Sequence, residues 1–310
     1  MISAQHISKS YGKKGEIKAL QDVSFEVAPG TLFGLIGPDG AGKTTLFRIL
    51  TTLLLPDAGE ARVLGYDVKT QLPEIRSRVG YMPGRFSLYQ DLSVEENLSF
   101  YATLFNTTIE KNYHLIKPIY QQIEPFKTRR AGALSGGMKQ KLALCCALIH
   151  KPGVLFLDEP TTGVDVVSRK EFWDMLADLK KEGITILVST PYMDEAALCD
   201  HIALLHEGKI LSIAPPHQIA HSIKTVVWEV KVKKIYTAIQ LLDGFAGVSS
   251  VYPFGESLHI TLDDDRKDAG FVEAWLTRAG LTEVSIQAIE PGIEDAFLMM
   301  MTDTHKKSQS

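Results

Sequence analysis

Nine residues, 37 to 45, constrain this chain more than any other stretch: they read G-P-D-G-A-G-K-T-T. An apolar run at 32–36 precedes them and a helix-like segment at 44–54 follows. That order of strand, glycine loop and helix is the setting in which the pattern G-x-x-x-x-G-K-[ST] cradles phosphate. Glycines let the backbone curl until successive N–H groups face one point, and the helix N-terminus adds partial positive charge there. Gly37, Pro38, Asp39, Gly40, Ala41, Gly42, Lys43, Thr44 and Thr45 are therefore the candidate nucleotide-binding residues. Lys43 is placed to reach β- and γ-phosphates, and the Thr44 hydroxyl to ligate Mg²⁺. Kinases, GTPases, helicases and transport motors all use such a loop, so the loop alone leaves the reaction open.

The second constraint is the continuous apolar run at 154–157, which suits a strand covered on both faces and ends in Asp158-Glu159. Ligands of open parallel sheets bind beyond the carboxyl ends of strands, so both carboxylates arrive beside the glycine loop. Asp158 then suits Mg²⁺, directly or through water, and Glu159 suits the general base that polarises an attacking water. Tyr11 ends the first strand-like run, where its ring either packs in a hairpin or stacks on a base, a contact worth about 1–3 kcal/mol. A third feature is L-S-G-G-M-K-Q at 134–140. Its Ser135, Gly136 and Gly137 open a helix whose apolar stripe is Met138, Leu142, Cys145, Cys146 and Ile149, which makes a second anion-attracting helix end. Two such ends serve one triphosphate only when they come from different copies of the fold.

The remaining chain supplies context. Its 310 residues suit one or two domains. Ser93 and Glu96 form a capping box, which starts a helical stretch inserted between strands. Ser168 and Glu171 form a cap of the same kind ahead of Phe172, Leu176 and Leu179, and Gly183 closes that helix. Residues 225–290 run β-α-β-β-α-β, the order of a small ferredoxin-like sandwich. Net charge is −4, so no nucleic-acid partner is expected. The apolar run 142–149 falls far short of the roughly 20 residues a membrane span needs, and the opening residues lack a signal peptide's apolar core. The expected location is cytoplasmic, with membranes reached through a partner. Cys145, Cys146 and Cys199 lie among apolar neighbours and are expected to be buried thiols.

In this order the residues resemble the ATP-binding subunit of ABC transporters, over about 1–222. The phosphate loop is 37–45, the signature is Leu134, Ser135, Gly136, Gly137, Lys139 and Gln140, the Walker B strand ends at Asp158-Glu159, and Asp165 is the D-loop aspartate. The resemblance implies an α/β P-loop NTPase fold of the ABC type, with a helical insertion at about 86–150. A small C-terminal α+β, ferredoxin-like domain at 223–302 and a disordered tail at 303–310 complete the expected organisation. It also implies ATP and Mg²⁺, with Tyr11 on the adenine. Two such domains would pair head to tail, each ATP lying between one copy's phosphate loop and the other's signature. A membrane-spanning permease subunit would bind in the groove near 86–89, with the chain peripheral on the inner face of the cell membrane. E-P-T-T-G-V-D, Y-M-D-E-A and the closing E-P-G-I-E-D-A-F-L resemble the branch that serves drug and antibiotic exporters.

Two positions depart from the family's pattern. Gly84 stands where glutamine follows Y-x-P, and Pro191 stands where histidine follows the next strand. Neither offers a side chain to hold the lytic water or the γ-phosphate, and losing one transition-state donor costs about 10²–10³ in rate. The expectation is an ATPase whose own site is slow and whose intact signature completes a site on a second ABC ATP-binding subunit. Asp39, where asparagine is commoner, points the same way. The alternatives are a competent homodimer, a non-hydrolytic ATP-binding partner, and a soluble ABC protein outside transport.

Overall fold

Leu32–Ile36, buried on both faces, lies inside a six-stranded sheet. The computed structural model describes residues 1–13, 15–263 and 268–309, with backbone alone from 303 onward. Strand order in this sheet is Lys209–Ala214, His201–His206, Leu32–Ile36, Thr185–Thr190, Val154–Asp158, Val79–Met82. All neighbours run parallel except the first pair, an antiparallel hairpin. The parallel register sets Ile36 opposite Thr190 and Asp158 opposite Ser189. The carboxyl ends that carry the loop, the acidic pair and the residue before Pro191 therefore meet on one rim.

A second sheet, antiparallel, orders Ile17–Val27, Ile2–Tyr11, Ala58–Val63 and Tyr66–Asp67. The helix Lys43–Leu50 contributes Leu46, Phe47, Ile49 and Leu50 to the core shared by the two sheets. There Phe47 meets Phe156 edge-on, with ring centroids 5.9 Å apart. This helix ends before the expected 54 because Thr52 turns left-handed at φ 62°. Arg76 holds it there, donating to the Thr52 hydroxyl and carbonyl, each at 2.8 Å.

The helical stretch contains Val94–Leu104, Ile109–Tyr120 and Gly136–Leu148. The Ser93 capping box forms with both of its bonds. Leu142, Cys145, Cys146 and Ile149 are buried as the stripe anticipates, while Met138 is half-buried. All three cysteines are free and buried, and burial pushes their thiols up from the ordinary range. One cap differs from expectation: Val166–Lys181 is capped by Asp165, whose carboxylate accepts from the Ser168 N–H at 3.0 Å. Ser168 is thus the third residue of the helix, and Glu171 pairs with Lys141 at 2.7 Å instead of closing a box.

By backbone contacts the chain divides between Pro216 and His217, six residues before the expected boundary. The second unit holds Val227–Lys231, Ile235–Leu242, Val248–Phe254, Ser257–Leu262, Gly270–Arg278 and Ser285–Ile289, the anticipated β-α-β-β-α-β order. Its antiparallel sheet runs Val248–Phe254, Ser257–Leu262, Val227–Lys231, Ser285–Ile289. Leu258, Ile260 and Leu262 pack in a core with Ala238, Leu242, Val272 and Leu276. On the alternate residues, His259 bonds Asp295 of the last helix, Ile293–Gln309, at 2.7 Å. The tail expected to be disordered, 303–310, falls where side chains, and at Ser310 the backbone, lie outside the described residues. Among the described residues no helix is long and apolar enough to cross a membrane.

Candidate functional site

The glycine loop 37–45 owes its path to two glycines that no other residue could replace without strain. Gly42 sits at φ 109°, and a Cβ there would lie 2.4 Å from the Ala19 carbonyl oxygen. At Gly37 a Cβ would lie 2.1 Å from the Leu205 carbonyl oxygen. Lys43 begins the helix and its side chain is buried. Its ammonium donates to Gly37 O at 2.8 Å and Pro38 O at 3.0 Å, and lies 3.0 Å from Glu159 Oε1. Pro38, Asp39 and Gly40 are exposed, Ala41 is buried, and Thr44 and Thr45 are half-buried. Tyr11 comes from the neighbouring sheet, with its hydroxyl 3.3 Å from Thr45 Oγ1.

Asp158 is 2% exposed, and its Oδ1 accepts from the Ser189 hydroxyl at 2.7 Å. The same Ser189 oxygen accepts from the Glu159 N–H at 3.0 Å. Glu159 adopts φ 51°, the left-handed region that side chains other than glycine's rarely enter, and this turn carries its carboxylate to Lys43. Ser189 therefore orients both acids, a role that sequence reasoning missed. Only the pairing of Asp158 with Ser189 across two strands reveals it. Burial, and then the charge of Asp158, push the Tyr81 phenol up to about 12, with Arg48 opposing. Gly84 abuts the same strand end: a Cβ there would lie 3.0 Å from the Asp158 carbonyl oxygen.

A magnesium ion fits this donor set. Among the described residues no group of three or more His, Cys, Asp and Glu could hold a metal. Mg²⁺ needs no such cage, since it takes one or two protein oxygens and completes its shell with substrate phosphates and water. The Thr44 hydroxyl and the Asp158 carboxylate are hard oxygen donors of the required kind.

The signature residues pack elsewhere. Ser135 caps Gly136–Leu148, accepting from the Met138 N–H at 3.4 Å. Leu134 is buried, whereas Ser135 and Gly136 are exposed. A Cβ on Gly137 would lie 2.9 Å from Ser168 Oγ, and one on Gly136 would lie 3.3 Å from Gly163 O, so these glycines rest on the loop and helix around Asp165. Lys139 Nζ stands 5.6 Å from the Phe86 ring centroid, and Gln140 is half-buried. The structure thus joins Lys43, Asp158 and Glu159 in one cluster and sets the signature on residues 163–168. Close by, a cavity of about 310 Å³ is lined by Tyr81, Met82, Leu88, Tyr101, Phe105 and His150. Tyr89 and Phe100, both exposed, meet edge to face with ring centroids 4.9 Å apart.

Comparisons with known proteins place the chain in a family. The ABC transporter family model matches residues 20–162. The probable multidrug ABC transporter ATP-binding protein YbhF of Escherichia coli is 38% identical over 291 residues, 91% of this chain. The chain spans 49% of that relative's length. The doxorubicin resistance ATP-binding protein DrrA of Mycobacterium tuberculosis is 34% identical over 309 residues, which cover 96% of this chain and 92% of that protein. A solved dimeric bacterial ABC transporter cassette has a TM-score of 0.63 at 26% identity, covering 69% of this chain and 98% of its own. A solved ATP-binding subunit of an ABC transporter reaches 0.65 at 27% identity, over 72% of this chain and 92% of its own. The family match takes in the phosphate loop, the signature and the acidic pair, and DrrA aligns along almost its whole length: this chain belongs to the ATP-binding proteins of ABC transporters.

Proposed function

We propose that this chain is the ATP-binding, ATP-hydrolysing subunit of an ABC-type membrane exporter, and that the site on its own phosphate loop turns ATP over slowly. Residues 37–45 hold the triphosphate, Tyr11 stacks on adenine, and Lys43 exchanges the Glu159 carboxylate for phosphate oxygens. Glu159, once released, stands beyond the strand end where an attacking water would sit. Thr44 and Asp158 would hold Mg²⁺, which would neutralise charge developing on the phosphates. Ser135, Gly136, Gly137, Lys139 and Gln140 face the nucleotide of a second ATP-binding subunit. Val166 and Val167, 79% and 69% exposed beside Asp165, support a protein surface at that edge. The cavity lined by Ser87, Leu88 and Tyr101 receives a separate membrane-spanning permease, and the chain works on the inner face of the membrane. Relatives named for multidrug transport and doxorubicin resistance support export; the substrate is selected in the permease.

The observation that carries the slow-site reading is a site complete at Lys43, Asp158 and Glu159 but bare beside them. Gly84 lies against Asp158 with no side chain, and Pro191 follows Thr190 with neither imidazole nor N–H. Phosphate release by the purified chain, alone and with a companion ATP-binding subunit, tests it. Slow release alone and faster release with the companion are expected. A normal transport-ATPase rate from the chain alone would favour the homodimer in which Glu159 suffices. Absence of adenine-nucleotide affinity in calorimetry with Mg²⁺ would end both readings.

A further inference from the structure

Glu195 is 2% exposed, and among the described residues the hydrogen bonds its carboxylate accepts come from segments that carry parts of the proposed site. Its Oε1 accepts from the Thr161 hydroxyl at 2.7 Å and from Arg169 Nε at 3.1 Å, and its Oε2 accepts from the Thr190 hydroxyl at 2.5 Å. Thr161 follows Glu159 by two residues and is 1% exposed. It belongs to the turn in which the Thr162 N–H bonds Glu159 O at 3.2 Å and the Val164 N–H bonds Thr161 O at 3.2 Å. Thr190 ends the strand whose preceding residue, Ser189, orients Asp158 and Glu159. Its hydroxyl oxygen also accepts from the Tyr192 N–H at 3.0 Å, which fixes the chain on both sides of Pro191. Arg169 lies on the helix capped by Asp165, stacks on the Tyr192 ring at 4.4 Å and reaches Asp194 at 3.1 Å. The signature glycines rest on Gly163 and Ser168 of that same turn and helix.

We infer that Glu195, through Thr161, Thr190 and Arg169, is a positioning residue for ATP hydrolysis: it fixes the Glu159 turn, the strand end before Pro191 and the start of the Asp165 helix relative to one another. The inference rests on the ATPase reading above and adds a residue that touches neither nucleotide nor reacting water. A buried carboxylate is costly unless it is paired and hydrogen-bonded, and here three donors from three separate segments bond it. The segments cannot drift apart without stranding charge, so the backbone that carries Glu159 is held where a displacement of about 1 Å would cost on the order of 10²-fold in rate. This restraint bears most on a site that lacks side chains at residues 84 and 191, because Glu159 is then the remaining group to orient the water.

The test uses the full chain in single-turnover hydrolysis of radiolabelled ATP at enzyme excess, which resolves even a slow site, together with ATP affinity by calorimetry and a thermal melt. Thr161→Val keeps shape and removes the donor; Glu195→Gln keeps shape and removes the charge that Arg169 faces. Both are expected to hold ATP within about twofold of the unsubstituted chain and to cleave it about 10- to 100-fold more slowly. Thr161→Ser, which retains the hydroxyl, is expected to recover most of the rate. Valine and serine variants of equal rate, or an affinity that falls in step with the rate, would overturn the positioning role. An unsubstituted chain that binds ATP and never cleaves it would overturn this inference and the hydrolytic reading, while leaving nucleotide binding intact.

Discussion

Introducing side chains at residues 84 and 191 tests the proposed slow turnover from two directions, and the structure gives the two changes different ceilings. A Cβ at residue 84 would lie 3.0 Å from the Asp158 carbonyl oxygen and 3.9 Å from its carboxyl carbon. Ordinary contact starts near 3.4 Å, so the neighbour must yield by about 0.4 Å. That neighbour is main chain, in a strand whose register is set by the pairing of Asp158 with Ser189. Any movement therefore displaces the carboxylate that the Ser189 hydroxyl holds. Overpacking of this kind costs about 1–3 kcal/mol. Gly84→Gln thus adds a donor amide and disturbs the proposed metal ligand in the same step. Pro191→His meets no such obstacle. Its neighbours are already fixed by bonds from the Tyr192 N–H to Thr190 Oγ1 and from the Gly37 N–H to Thr190 O, neither of which uses residue 191. Losing the ring costs about 0.4–1 kcal/mol through unfolded-chain entropy, and a restored transition-state donor is worth about 10²–10³ in rate. In single-turnover hydrolysis Pro191→His should gain about 10²-fold, and Gly84→Gln less than about tenfold with a lower urea midpoint. A histidine variant no faster than the parent, or a glutamine variant that outpaces it, would refute the reasoning.

Glu159→Gln removes the carboxylate that competes with phosphate for Lys43 at 3.0 Å. A charged hydrogen bond of about 1.5 kcal/mol corresponds to roughly tenfold tighter ADP binding, and calorimetry showing unchanged affinity would count against that competition. Phe156→Ala opens a hole beside Phe47 in a core where both rings are 0% exposed, and should cost about 3–5 kcal/mol in denaturant unfolding. Burial lowers the His150 imidazole to about 4, although its Nε2 bonds Val79 O at 3.1 Å and its ring stacks on Phe105. The folded chain keeps this ring neutral while the unfolded chain protonates it near pH 6.5. Stability is therefore expected to fall as pH drops from about 6.5 to about 4, and His150→Gln should flatten that slope in urea midpoints measured across the window.

The features legible in the sequence were those encoded by spacing along the chain. The glycine loop and the capping box at Ser93 are each spelled within a few residues, and the acidic pair follows directly on its apolar run, so these features could be read from the string although the partners of the two acids could not. The β-α-β-β-α-β order of the C-terminal unit was legible for the same reason, because each element is local and the connections are short. What stayed hidden depends on pairing between distant segments. Thr52 breaks its helix because Arg76, 24 residues on, holds its carbonyl and hydroxyl. Ser189 became a partner of Glu159 only through strand register, across 30 residues. Glu195 draws donors from 34 and 26 residues away, in a stretch whose local pattern spells nothing more than a short helix.

The second face of the C-terminal sheet shows how far such pairing can mislead a pattern. In Ser257–Leu262 apolar and polar residues alternate, which places Ser257, His259 and Thr261 in solvent by the ordinary rule for a half-covered sheet. All three are buried instead. His259 is stacked on Phe254 at 4.0 Å and bonded to Asp295, itself 4% exposed, while Ser257 donates to Phe254 O and Thr261 pairs with Ser250, so hydrogen bonds to the last helix and within the hairpin satisfy this buried polar face. An acidic residue in a closing helix reads as surface until its partner is known. Once the His259 bond is in view, Asp295 becomes a residue that ties the last helix to the sheet, since a buried carboxylate is costly without donors and this one accepts from His259 and from the Gly292 N–H at 2.8 Å.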